Sequence, residues 1–130
     1  VAYPLALTVS DHLQIFGFDL DHTQIQPGQA VWLTLYWRAR QDVERDYVVN
    51  LRLLNPAGDE ASYRLGRPIQ SGIPTNEWRQ GQVVQDPWRI EVPVEAAPGL
   101  YRLVLVLFDV ESEQAVIEAS LADLTVLASD

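Results

Sequence analysis

Trp32 and Tyr36 are aromatic residues whose side chains could bind a ligand without catalysing a reaction. They lie four residues apart in a segment where apolar and polar residues alternate, so both point to the same side of a strand. Aromatic rings exposed on a sheet can stack on sugar rings or pack against a neighbouring domain. Asn50 and Arg52 follow in the next alternating segment, and their side chains suit hydrogen bonds to sugar hydroxyls. These four are the candidate ligand or interface residues.

A second interpretation of the aromatic pair is that other residues cover it. Arg38, Arg52 or the long loop after residue 66 could fold over that side of the strand and leave neither ring available to a ligand. Trp78 lies within that loop, and we expect it to close one end of the core rather than to contact a ligand.

The two histidines, His12 and His22, stand at opposite ends of one predicted strand, each directly after an aspartate. A histidine metal site needs two or three converging ligands, and a Ser-His-Asp site needs a positioned nucleophile. The sequence contains no Gly-x-Ser-x-Gly, phosphate-loop or His-Glu-x-x-His pattern, and it has no cysteine. We therefore predict surface histidines, no catalytic residue, no cofactor and a protein that is not an enzyme.

Two acidic groups have the spacing of turn residues that could bind Ca²⁺. They are Asp19 with Asp21, and Asp109 with Glu111 and Glu113. Calcium needs six to eight oxygens in one place, and the fuller Asp-x-Asp-x-Asp-Gly loop pattern is missing from both. The sequence favours solvated loops of an acidic domain, with no metal held by the protein.

Composition and charge narrow the classes of partner. The 130 residues fit one domain, 1–130, and 48% hydrophobic with 21% charged residues is typical of a packed globular domain. The net charge is −9 and the nine basic residues, all arginine, are scattered, which disfavours nucleic acid and anionic membrane surfaces as partners. No apolar run reaches the roughly 18 residues of a membrane-spanning helix, so direct membrane insertion is not expected. The chain has no methionine, even at position 1, which favours a piece of a longer protein.

Alternation of apolar and polar residues dominates the chain and predicts strands rather than helices. Turn residues at 27–28, 55–58 and 98–99 separate the alternating segments. About eight strands without intervening helices predict an all-β fold, namely a two-sheet antiparallel immunoglobulin-like β-sandwich. The residues expected between the sheets are Leu33, Leu35, Trp37, Val49, Leu51, Ile90, Leu103, Leu105 and Leu107.

The connections are less regular than the strands. Residues 1–10 are predicted as a linker or an edge strand, and the segment from Gly66 to Gln82 as a crossover loop between the sheets. The end of the chain is predicted as two strands, around 115–119 and around 121–127.

Tyr101 is predicted to hold the start of its strand in place. It follows the bend at Pro98-Gly99. In sandwiches of this class a tyrosine just after a connecting turn can bury its ring and return its hydroxyl to upstream backbone. We expect that hydrogen bond to reach the connection between Glu91 and Pro98.

Six segments stand in a characteristic order and spacing and together span most of residues 13–109. They are LQIFGFDL from Leu13, the pair Pro27-Gly28, LTLYWRA from Leu33, RDYVVNLRLLNPAGD from Arg45, PTNEWRQGQVVQD from Pro74 and PGLYRLVLVLFD from Pro98. In this order they resemble an immunoglobulin-like accessory domain found after the membrane-spanning part of bacterial glycosyltransferase-like proteins of the dolichyl-phosphate-mannose type. One departure follows Asp109, where that family leads us to expect a glycine-containing turn and this chain has residues 110–113, Val-Glu-Ser-Glu.

The resemblance implies a non-catalytic accessory or interaction domain of a larger membrane-attached protein, on the extracytoplasmic side. The implied partner is the rest of its own parent chain or a neighbouring membrane protein. No transferase residue carries over, because the likeness covers an appended domain. A more distant likeness links the segment from Pro98 to Tyr101 to the sugar-binding sandwich domains of polysaccharide export transporters. The alternative function is a carbohydrate-binding module that holds a glycan on aromatic residues exposed on a sheet face.

Overall fold

The alternating segments become strands in a computed structural model that describes residues 2–69 and 73–128. Within these ranges there are nine strands and one short 3-10 helix, Thr75–Glu77. The strands are β1 (Tyr3–Thr8), β2 (Leu13–Leu20), β3 (Gln24–Ile25), β4 (Ala30–Ala39), β5 (Tyr47–Leu54), β6 (Glu60–Gly66), β7 (Val83–Glu91), β8 (Gly99–Asp109) and β9 (Gln114–Val126).

The strands form two sheets that face each other. One sheet has four strands in the order β1-β2-β4-β7, and the other has five in the order β3-β9-β8-β5-β6. Neighbouring strands are antiparallel, except that β3 runs parallel to β9. The predicted all-β two-sheet sandwich is confirmed. Tyr3–Thr8 is an edge strand of the four-stranded sheet, one of the two alternatives predicted for residues 1–10.

The core lies between the sheets and follows the alternation of the sequence. Side chains of an antiparallel strand point alternately to its two sides, so each strand contributes every second residue to the core. All nine residues predicted for the core are buried. Trp78 is buried as well, and its ring meets Trp37 edge-on at 5.7 Å between centroids, so it closes one end of the sandwich as expected.

β9 is a single strand where the sequence predicted two. Its register against β8 shifts between Leu103 and Val104, and again between Leu107 and Phe108. At these shifts Leu121 and Val116 are the additional residues on β9. A bulge reverses which side chains point inward without ending the strand, so the interrupted alternation resembled a strand break.

The chain leaves the five-stranded sheet after β6 and joins the four-stranded sheet at β7, as predicted for a crossover loop from Gly66 to Gln82. Residues 70–72 of that predicted loop lie outside the described residues. Thr75, in its 3-10 helix, is buried; its hydroxyl donates to the carbonyl of Arg45 (2.7 Å) and accepts from the backbone N–H of Tyr47 (2.9 Å). Among the described residues, none lies in a helix with the length and apolar character needed to span a membrane.

Tyr101 behaves as the sequence predicted. Its side chain is only 2% exposed, and its hydroxyl donates a 2.7 Å hydrogen bond to the carbonyl oxygen of Ala97. The bond ties the start of β8 to the preceding connection, which lies between Glu91 and Pro98.

Candidate binding surfaces

The four candidate residues lie on opposite outer faces of the sandwich. Trp32 and Tyr36 are on β4 and point away from the core on the four-stranded sheet, whereas Asn50 and Arg52 are on β5 and point away from it on the five-stranded sheet. Residues 40–46 carry the chain from one sheet to the other. The expected proximity of Asn50 and Arg52 to the aromatic pair is therefore not found, and the four residues do not form one site.

Tyr36 is covered, but by residues of β2 rather than by an arginine. Its hydroxyl donates to Asp19 Oδ2 at 2.5 Å, and its ring contacts Phe16 at 6.0 Å between centroids. The hydrogen bond raises the pKa of Tyr36 and lowers the pKa of Asp19. Arg38, one of the three alternatives for the cover, lies instead over the ring of Phe16, with its guanidinium carbon 4.5 Å from the ring centroid.

Trp32 remains 47% exposed. Its backbone N–H donates to Asp21 Oδ1 (2.9 Å), which secures the strand while the indole stays accessible. The indole lines an open cavity of about 400 Å³ at the side of the sandwich. We call this cavity the Trp32 pocket; its lining residues are Trp32, Arg64, Ile69, Pro87 and Arg89.

Asn50 and Arg52 belong to a second surface, the outer side of the five-stranded sheet. We call it the five-strand face, and it comprises Asn50, Arg52, Tyr63, Leu65, Val104, Val106, Phe108 and Glu118. In the strand register, Asn50 is level with Leu65 and Val106, and Arg52 with Tyr63 and Val104. The polar side chains of β5 therefore lie between the apolar and aromatic side chains of its two neighbours, β6 and β8.

A shallow cavity of about 430 Å³ lies on the five-strand face. Val106 and half-buried Phe108 form its apolar floor, and Tyr63 stands beside it with 57% of its surface exposed. Reasoning from the sequence missed these three residues as site residues. The signal for Val106 and Phe108 was the run from Leu103 to Phe108, which is apolar on both sides of β8, whereas a sheet with one solvated face alternates.

The polar groups of this cavity include an amide, a guanidinium and carboxylates. Arg52 Nε donates to Glu60 at 2.8 Å, and exposed Glu118 lies level with Val106. The Oδ1 atom of Asn50 is covered and accepts no hydrogen bond within the described part of the chain. Rotation of the amide exchanges its oxygen and nitrogen, so Asn50 can offer a ligand either a donor or an acceptor.

Four carboxylates of the two acidic groups, those of Asp19, Asp21, Asp109 and Glu111, contact protein donors. Asp19 and Asp21 accept from Tyr36 and from the backbone of Trp32, as described above. Asp109 Oδ2 lies 2.6 Å from Arg45 Nη2, and Glu111 contacts the same guanidinium at 3.4 Å. Within residues 2–69 and 73–128, no three His, Asp or Glu residues are arranged to hold a metal ion.

The histidines differ in their surroundings. His22 is exposed at the end of β2, with Nε2 3.9 Å from Asp21. His12 is half-buried at the other end, and its Nδ1 lies 2.6 Å from the carbonyl oxygen of Asp42. The surface position predicted for both residues therefore holds fully for His22 alone.

Comparison with known proteins shows the fold. No protein-family model matches the chain, and no characterised protein matches it in sequence. The C-terminal domain of wzt superposes with a TM-score of 0.64 at 14% identity, over 93% of this chain and 77% of that chain. A Niemann-Pick type C2 protein from Japanese carpenter ant superposes with a TM-score of 0.60 at 8% identity, over 91% of this chain and 95% of that chain. A family 123 glycoside hydrolase from Clostridium perfringens superposes with a TM-score of 0.55 at 12% identity, over 89% of this chain and 27% of that chain. At such identities the likeness establishes a shared β-sandwich and nothing about activity.

Proposed function

We propose that this chain is a non-catalytic accessory domain of a larger, membrane-attached bacterial glycosyltransferase-like protein, and that it binds through the five-strand face. One observation carries the proposal: apolar side chains stay exposed there beside an apolar floor. Tyr63 and Leu65 on β6 are 57% and 59% exposed, and Val104 and Val106 lie on β8, across β5 from them. Exposed apolar patches rimmed by polar residues mark interaction sites.

The proposed occupant is a surface of the parent chain itself, on the extracytoplasmic side. The resemblance of residues 13–109 to an appended accessory domain supports this choice. The glycoside hydrolase from Clostridium perfringens supports it too, because there the same fold makes up 27% of a longer chain. An apolar strip flanked by Arg52, Glu60 and Glu118 suits a protein surface with its own apolar centre and mixed charges.

A glycan on the same face is the second candidate function. The observation that favours it is the unused amide oxygen of Asn50 beside the Arg52–Glu60 pair and the ring of Tyr63. Sugar sites combine an aromatic wall for the ring with a few polar groups that hydrogen-bond the hydroxyls.

Alanine variants of the exposed residues test the proposal without disturbing the core. The domain and the separately produced remainder of the parent protein are mixed and their binding is followed by calorimetry. Tyr63→Ala and Leu65→Ala should each weaken the association by about tenfold, since each removes a large exposed apolar contact. Val83→Ala is the matched control, because Val83 is an apolar residue that is also more than half exposed but lies on the four-stranded sheet.

A glycan array run with the same variants separates the two candidates. Glycan binding that Tyr63→Ala and Asn50→Ala abolish, without binding to the parent chain, would replace the first function by the second. Association with the parent chain that is unaffected by Tyr63→Ala and Leu65→Ala, with no glycan bound, would refute the use of this face.

A further inference from the structure

The Trp32 pocket lies where the edges of the two sheets meet, away from the five-strand face. Trp32 on β4 and Arg89 on β7 are level with each other in the register. Pro87 lies two residues before Arg89, on the same side of β7. Arg64 reaches over from β6 of the other sheet, and its Nη1 donates to the carbonyl oxygen of Arg89 at 3.1 Å. Three strands from two sheets therefore contribute to one cavity of about 400 Å³.

Trp32 differs from the other three tryptophans of the chain. Trp37, Trp78 and Trp88 are buried, and each indole N–H donates to a protein oxygen. The indole of Trp32 is 47% exposed beside Pro87. An indole face next to a proline ring is an apolar platform for the C–H face of another ring.

The pocket brings two guanidinium groups together in a chain of net charge −9. Three other arginines each contact a buried or half-exposed carboxylate. Arg64 contacts none within residues 2–69 and 73–128, and Arg89 contacts only Glu91, which is itself largely exposed. Guanidinium groups bind carboxylates through paired N–H donors, so this wall of the pocket is suited to an anion.

The wall formed by Ile69 is anchored to the core. Ile69 has a φ of 56°, a left-handed conformation that a β-branched residue rarely adopts. Its N–H donates to Asp86 Oδ1 at 2.7 Å, and Asp86 Oδ2 accepts from the indoles of Trp37 and Trp88. Strained backbone held by a buried network is characteristic of preformed ligand sites.

We propose that the Trp32 pocket binds a pyranose ring that carries a carboxylate, as in a uronic acid residue of a glycan. The ring lies against Trp32 and Pro87, and the carboxylate accepts hydrogen bonds from Arg64 and Arg89. Aromatic platform and paired cations together select an acidic sugar over a neutral one. This site is independent of whatever occupies the five-strand face.

Two forms of one trisaccharide test the charge requirement. The domain is titrated with tri-galacturonic acid and with its fully methyl-esterified form, and the four indole N–H signals are followed by NMR. The acid should shift the Trp32 signal and leave the three buried indoles in place. The ester should bind at least about tenfold more weakly, because it cannot form the charged hydrogen bonds.

Variants then assign the binding to the two arginines. Arg64→Gln and Arg89→Gln should each weaken binding of the acid by about tenfold. Arg102→Gln, which removes an exposed arginine of β8 that does not line the pocket, and Tyr63→Ala on the five-strand face should leave it unchanged. Tyr63→Ala thus keeps a failure of this proposal distinct from a failure of the accessory function.

Three results would overturn the inference. Equal binding of acid and ester would show that charge plays no part. Displacement of the trisaccharide by inorganic phosphate at equal concentration would show a simple anion site. No Trp32 shift at about 10 mM trisaccharide would exclude even millimolar affinity and therefore a sugar site of any use.

Discussion

Asp109 ends β8 as a largely buried carboxylate whose partners determine how the domain responds to acid. Arg45 contacts its Oδ2 at 2.6 Å, and the backbone N–H of Glu111 donates to its Oδ1 at 2.9 Å. Burial raises the pKa of Asp109, but the hydrogen bonds from Arg45 and from the backbone outweigh it and hold that pKa below the ordinary value of 3.8. Because its pKa is lowered by folding, Asp109 stabilises the folded state at pH values above the ordinary pKa. This stabilisation is lost as the pH falls through the pKa of the folded state.

Asp109→Asn should therefore destabilise the domain at neutral pH and much less in acid. The free energy of unfolding, from urea titrations of both proteins, should differ clearly near neutral pH, and the difference should shrink towards about pH 3. Asp11→Asn changes the charge by the same amount at an exposed turn and serves as the control. A difference for Asp109→Asn that stays constant across this range would contradict the assignment.

Asp86 has the opposite dependence on pH. Burial raises its pKa, although the N–H groups of Ile69, Trp88 and Trp37 lower it in part. The folded state then holds a proton on Asp86 more tightly than the unfolded state does. The stabilisation that this residue contributes is therefore lost as the pH rises through its raised pKa. The two buried aspartates thus act on stability in opposite directions.

The hairpin between β8 and β9 is an element that closes without the expected glycine. Glu113 takes the left-handed position, with a φ of 60°, and its N–H donates to the carbonyl of Asp109 at 2.8 Å. The turn therefore closes with a residue that is strained in it, because the Cβ atom crowds the backbone at positive φ.

Glu113→Gly should raise the free energy of unfolding by about 0.5–1 kcal/mol, since glycine adopts this conformation without the steric cost. Thermal and urea denaturation measure the change. Glu113→Ala removes the same carboxylate but keeps the Cβ atom, so it should give no comparable gain. Equal stabilisation by both variants would attribute the effect to charge rather than to the backbone.

At the scale of the whole molecule, Trp78 joins the crossover loop to the sandwich. Its indole N–H donates to the carbonyl of Ile73 at 3.2 Å, its carbonyl accepts from the N–H of Val43 at 3.0 Å, and its ring lies against Trp37. The loop that connects the two sheets is therefore held at the same point that closes the core.

Trp78→Ala should cost about 3–5 kcal/mol, because it opens a large cavity at the end of the core. Trp32→Ala, a tryptophan change at an exposed position, should change the free energy of unfolding by no more than about 0.5 kcal/mol. Urea denaturation of the two variants compares them directly. Similar losses for both would mean that Trp78 does not secure the loop.

Alternation along each strand determined which side chains are buried. Leu33, Leu35 and Trp37 could be assigned to the core from the sequence because they stand at every second position of an alternating segment and a strand repeats every two residues. Tyr101 could be placed for a similar reason, since the bend at Pro98-Gly99 and the apolar run that follows are local signals. The sandwich and most of its core therefore follow from the sequence.

Only the tertiary structure decided which outward side chains are neighbours. Alternation separates the inside of a strand from its outside, but it does not say which strands lie side by side or in which sheet. Asn50 and Arg52 follow Trp32 closely in the chain, yet the sheets divide them, and Asn50 meets Val106 instead. Arg64 and Arg89 reach Trp32 through long-range pairing and the meeting of two sheet edges, and no local pattern of residues records those contacts.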